Sequence, residues 1–157
     1  MDIAVQLKVQ DLLARYIQAI DDDRLEAWPD FFVDRCRYVI TTADNLERGL
    51  PLGLIYATSR AMLRDRVRSL RQANVYEAQR YRHVISPPRI EPAGSGLVRA
   101  QTHFIVARIM HSGETIIFAT GRYDDRIALD APEGARFIEK TVVLDSRLID
   151  TLLAIPL

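Results

Sequence analysis

Cysteine is almost absent from this chain. Cys36 is the only one, so no disulfide can close within the chain, and thiolates for an iron–sulfur cluster are lacking. A single thiol points to a reducing cytoplasm. No apolar run approaches the roughly 20 residues needed to cross a bilayer. Met1 is followed by Asp2 and an amphipathic pattern, so no signal peptide is expected. Excess charge is missing too. Lys plus Arg and Asp plus Glu are 21 each, which removes any general pull toward nucleic acid or anionic membrane. Neither is expected as a partner. Glycine-rich phosphate loops and a Gly-x-Ser-x-Gly elbow are also absent.

Lysine is nearly as scarce. Only Lys8 and Lys140 occur, and the other basic residues are arginines. Arg is enriched at protein interfaces and Lys is depleted there, although a high-GC genome produces the same bias. Zero net charge carries a solubility risk that favours life within an assembly.

What is present fits one globular domain over residues 1–157. At this length, roughly two-thirds of the unfolded surface can be buried, and 48% apolar residues are enough to do so. Val5, Val9, Leu12, Leu13, Tyr16 and Ile20 make one apolar helical stripe, closed by Asp21-Asp22-Asp23. Residues 24–28 predict a short helix stopped by Pro29, and residues 37–41 a strand. Residues 45–54 read as a loop or hairpin broken by Gly49, Pro51 and Gly53. A second long helix is expected from an N-cap at Thr58 or Ser59 to about Ala73.

From Tyr81 the pattern changes to strands. Residues 97–111 and 114–127 flank a Ser112-Gly113 turn, with a last strand over 136–144 and a tail after it. Pro87-Pro88 and residues 92–96 read as loop punctuation, and Gly121 as a bend or bulge. Helices followed by long antiparallel strands give an α+β class, with helices packed on one face of a curved sheet.

The densest aromatic cluster runs from Trp28 through Phe31 and Phe32 to Tyr38, where helix gives way to strand. It reads as the mouth or floor of the curved sheet. Among the histidines, His103 and His111 stand roughly 27 Å apart on one strand and cannot share a metal. Alternation sends Tyr81 and His83 to one face and Arg80 and Arg82 to the other. His83 is either a hydrogen-bonded core histidine or a general base in a concave pocket, helped by Tyr16, Asp30 or Tyr38. Arg60, Arg64, Arg68 and Arg71 form a ridge on the second long helix, either a solvated face or a docking surface. Cys36 reads as a buried structural thiol.

The string from Asp21 to Phe32, Tyr38, the segment Asn45–Gly53, Met62-Leu63-Arg64-Asp65-Arg66, Tyr81-Arg82-His83 and the tail from Asp145 to Leu157 resemble the small (beta) subunits of ring-hydroxylating dioxygenases. The segment Arg108–Thr115 is most similar to terephthalate dioxygenase small subunits, with those of salicylate and anthranilate hydroxylases next. The resemblance covers nearly the whole chain in order.

It implies a cone-shaped α+β fold of the ketosteroid isomerase and scytalone dehydratase type, and no catalytic, metal or cofactor residue on this chain. It further implies a trimer of this chain within an α3β3 assembly. The large subunit would carry the Rieske [2Fe-2S] cluster and mononuclear Fe(II), with NAD(P)H feeding a separate reductase. Interface candidates are then Arg60, Arg64, Arg68, Arg71, Arg80, Tyr81, Arg82 and Trp28. The alternative is a free-standing isomerase or dehydratase of the same fold using His83 with Asp30 or Tyr38.

Overall fold

The computed structural model describes residues 1–50, 53–73, 78–147 and 155–157. Pro51, Leu52 and the 148–154 part of the tail motif lie outside the described residues.

Helix α1 (Ile3–Asp21) starts at Asp2, whose carboxylate accepts from the Ala4 N–H at 3.1 Å. It buries Val9, Leu12, Leu13, Tyr16, Ala19 and Ile20, the face drawn by the apolar stripe. Asp23 ends the helix in the left-handed region at φ 58°, a conformation that Asp tolerates better than most side chains. A 3-10 turn follows over Leu25–Phe31 with Pro29 inside it. Pro29 therefore sits within this element and does not stop it, and Leu25, Trp28 and Phe31 face the core.

Strand β1 (Phe32–Thr42) begins five residues earlier than its alternation suggests. Its register against its neighbour is interrupted between Phe32 and Arg37, and that irregularity hides the period of two. The ambiguous 45–54 stretch begins as a short helix, α2 (Ala43–Glu47), capped by Thr42 Oγ1 on the Asn45 N–H at 3.1 Å. After β2 (Ile55–Ala57), Ser59 Oγ accepts from the Met62 N–H and opens α3 (Arg60–Ala73), which buries Leu63 and Val67.

The remaining strands are β3 (Gln79–Ile85), β4 (Arg89–Gly94), β5 (Leu97–Met110), β6 (Thr115–Ala128) and β7 (Arg136–Leu144). The described strands form one sheet in the order β2-β1-β7-β6-β5-β3, with β4 also on β5. Segments β3 and β4 lie in series along the same edge of β5. Pro87-Pro88 breaks what would otherwise be one edge strand.

The expected all-antiparallel sheet needs one correction. Strands β1 and β7 run parallel, because the helical elements and the other strands intervene between them in sequence. The sheet is therefore mixed.

Bulges re-aim side chains at two places. Val106 faces Ala119 and Ala107 faces Ile117, so Phe118 is the extra residue of β6; Ile138 is the extra residue of β7. Gly121 is not itself the bulge. A Cβ there would lie 2.1 Å from the Val143 carbonyl oxygen, so Gly121 leaves room for a close approach of the β7 backbone.

Candidate functional site

The inner face of the sheet carries an aromatic interior. Tyr16, Trp28, Phe32, Tyr38, Tyr123 and Phe137 have essentially no solvent exposure. They meet edge to face: Trp28 with Tyr38 at 5.1 Å and Tyr16 with Phe137 at 5.3 Å between centroids. Trp28 Nε1–H donates to Tyr16 Oη at 3.1 Å. Tyr16 and Tyr38 hydroxyls donate to the main-chain oxygen of Leu157 at 2.7 and 3.0 Å. Burial raises the pKa of Tyr16, Tyr38 and Tyr123 well above the ordinary phenol value, so all three stay neutral.

Within this interior lies an ion pair that the sequence reading missed. Lys140 Nζ donates to both carboxylate oxygens of Asp125 at 3.1 Å, and both side chains are fully buried. The two residues face each other directly across β6 and β7. The ammonium stands 3.7 Å from the Tyr123 ring centroid, 4.4 Å from Phe137 and 4.5 Å from Tyr16. Burial pushes the Asp125 carboxyl up to about 6, against the pull of Lys140, and pushes the Lys140 ammonium down. A signal was there: Asp125 shares the inward parity of Tyr123 and Ile127, and Lys140 that of Val142 and Leu144.

His83 does form a histidine–carboxylate pair, though not with the expected partner. Its Nδ1 lies 2.6 Å from Asp21 Oδ1, and its own N–H donates to Asp21 Oδ2 at 2.9 Å. The imidazole has no exposure and the carboxylate 5%, so the pair is shut off from bulk solvent. Asp30 lies elsewhere, exposed and paired with Arg64 at 3.5 Å, and Tyr38 is engaged with Leu157. The proposed His83–Asp30 or His83–Tyr38 combination is not assembled.

The arginine ridge is largely neutralised by the chain's own acids. Arg71 binds Asp23 and Glu26, and its hydrogen bond holds the Glu26 carboxyl below its ordinary value. Arg60 reaches the Phe32 carbonyl and Asp34, and Arg68 pairs with Asp65. A groove of about 510 Å³ between the 3-10 turn and α3 is lined by Glu26, Pro29, Asp30, Arg64, Val67 and Arg68.

Two of the interface candidates are buried. Trp28 and Tyr81 have exposures of 0% and 3% and present no side-chain surface, because Tyr81 shares the inward parity of His83 and Trp28 caps the core. Arg80 and Arg82 project outward as the alternation requires. Cys36 is buried, with its thiol pKa raised by that burial.

His103 and His111 are exposed, and among the described residues no group of three or more His, Cys, Asp or Glu could hold a metal ion. These residues do not fit a Rieske cluster or a mononuclear iron.

The family model for the ring hydroxylating beta subunit matches residues 15–151. This chain belongs to that family. The beta subunit 2 of the terephthalate 1,2-dioxygenase terminal oxygenase component from Comamonas sp is 42% identical over 97% of this chain and 98% of its own. The anthranilate 1,2-dioxygenase small subunit from Burkholderia cepacia is 37% identical over 99% of this chain and 96% of its own.

A crystal structure of an aromatic-ring-hydroxylating dioxygenase beta subunit from Novosphingobium aromaticivorans superposes with a TM-score of 0.90 at 36% identity. It covers 99% of this chain and 100% of that one. A scytalone dehydratase-type structure from the same organism, at 12% identity and TM-score 0.68, shares the fold alone. The ring-hydroxylating beta subunit is part of an oxidoreductase, and the expected α+β cone fold is the one found. Among the described residues no helix is long and apolar enough to cross a membrane.

Proposed function

We propose that this beta subunit is a non-catalytic structural component of a cytoplasmic dioxygenase acting on an aromatic carboxylate of the terephthalate type. It holds in place a large subunit that carries the Rieske cluster and the mononuclear iron, and that receives electrons from NAD(P)H through a separate reductase. The assembly is α3β3, with this chain forming the trimeric β part. The observation that carries the structural role is the closed interior. The histidine–carboxylate pair is buried, the Tyr16 and Tyr38 hydroxyls are taken up by Leu157, and the interior aromatic side chains have essentially no solvent exposure, which supports a concavity closed to substrate. The terephthalate and anthranilate dioxygenase relatives support the substrate class.

The outward sheet face offers a surface for association. Val84 and Ile105 pair across β3 and β5, Ile117 sits opposite Ala107 on the same face, and their exposures are 64%, 45% and 69%. Arg80 and Arg82 flank them. An apolar centre with arginines beside it is the composition of an interface core and its anchors.

The test is co-expression with a Rieske-type large subunit of the terephthalate dioxygenase type. The expected result is a coloured complex of α3β3 mass that oxidises terephthalate, while this chain alone turns over nothing. Turnover of a small molecule by the isolated, metal-free chain, lost on His83→Ala, would overturn the reading.

A further inference from the structure

Residues 155–157 are bound in the way a ligand is bound. Ile155, Pro156 and Leu157 are buried and belong to no helix or strand. The Leu157 N–H donates to Tyr38 Oη at 3.2 Å, and the same hydroxyl donates to the Leu157 oxygen at 3.0 Å. Tyr16 adds a second donor to that oxygen at 2.7 Å while accepting from Trp28. The holding groups thus come from α1, the 3-10 turn and β1, and among the described residues no strand ladder ties the segment in place. With the segment withdrawn, Tyr16 and Tyr38 would keep only each other as partners, and one of the two hydroxyls would be left without an acceptor in an aromatic cavity. That state favours any ligand that brings a carbonyl or carboxylate oxygen on an apolar body.

We propose that Tyr16, Trp28 and Tyr38 form a peptide-binding pocket, occupied by the chain's own Ile155–Leu157, which accepts a short apolar peptide of that sequence supplied in trans. The inference goes beyond the subunit role, and its readout needs neither the large subunit nor turnover. Trp28 is the only tryptophan, so its emission reports on the pocket directly.

The experiment uses the chain with Ile155–Leu157 deleted, which removes the main-chain groups held by Tyr16 and Tyr38, titrated with acetyl-Ile-Pro-Leu. The expected result is a red-shifted Trp28 emission in the variant that returns saturably to the parent value. The scrambled acetyl-Pro-Leu-Ile should have no effect, and adding Tyr38→Phe should weaken binding about tenfold, as loss of a buried hydrogen bond does. An unchanged emission in the variant, or a folded variant indifferent to the peptide, overturns the proposal. If the variant does not fold, it is refolded with each peptide: recovery with Ile-Pro-Leu alone supports the pocket, and recovery with neither or with both refutes it.

Discussion

Asp21, Asp22 and Asp23 look interchangeable in the sequence, yet each has a separate task. Asp21 binds His83, Asp22 meets Arg24 at 3.5 Å, and Asp23 turns the chain and binds Arg71. The partners lie up to 62 residues away, a distance that no local pattern reports. The Arg71 bridge has a measurable pH signature. Its hydrogen bond lowers the Glu26 carboxyl below 4.5, so the stability it contributes is present above that value and is lost as the pH falls through the carboxylate range. Glu26 is 67% exposed, which keeps the effect small. Arg71→Ala should cost about 1 kcal/mol at pH 7, and urea melts of parent and variant should converge below about pH 4.

Lys140 gives the sharper case. Lys140→Met alone leaves Asp125 buried without its counter-charge and should cost about 3–5 kcal/mol. Lys140→Met with Asp125→Leu should return to within about 1 kcal/mol of the parent, because a buried pair costs nearly as much to desolvate as it returns. Denaturant unfolding of both variants checks this, and a double variant as unstable as the single one would contradict it.

At the scale of elements, long regular segments were legible and irregular ones were not. The α1 stripe, the α3 cap, the β5–β6 hairpin and the span of β7 all follow from period and turn chemistry. β4 was hidden by Pro92 and Gly94, which an edge strand tolerates because one side of it needs no ladder partner. The start of β1 was hidden by its irregular register, and α2 is too short to show a period. The bulge at Phe118 changes the parity of β6, turning Ile117 outward beside Ile105 while Phe118 packs 5.3 Å from Tyr81. Gly121 admits a close approach of the β7 backbone, and Gly121→Ala should cost about 3 kcal/mol, the upper end of overpacking penalties. A lowered thermal midpoint with unchanged assembly would fit that; a neutral substitution would mean the β7 end shifts freely.

At the scale of the whole molecule, the chain looks outward with its sheet and keeps its helices busy with itself. Arg64 and Arg68 of α3 form exposed pairs worth a few tenths of a kcal/mol each, so Arg64→Ala and Arg68→Ala should leave both melting and co-purification nearly unchanged. Arg80→Glu with Arg82→Glu reverses the two cations that β3 places on the outward face, both exposed. The isolated chain should melt as the parent does while recovery of the large-subunit complex by size-exclusion chromatography falls at least tenfold. Undiminished complex would move the interface off this face.

The sequence by itself determined the α+β class, the family, the helix faces and the outward and inward parity of β3, because each rests on local period or on an ordered series of motifs. Only the tertiary structure decided that β1 runs parallel to β7, that His83 meets Asp21, that Lys140 meets Asp125 inside an aromatic cage, and that Leu157 meets Tyr16 and Tyr38. Those choices depend on which distant strands share a register and on which polar groups must find partners once water is excluded. Neither condition is written in any window of neighbouring residues.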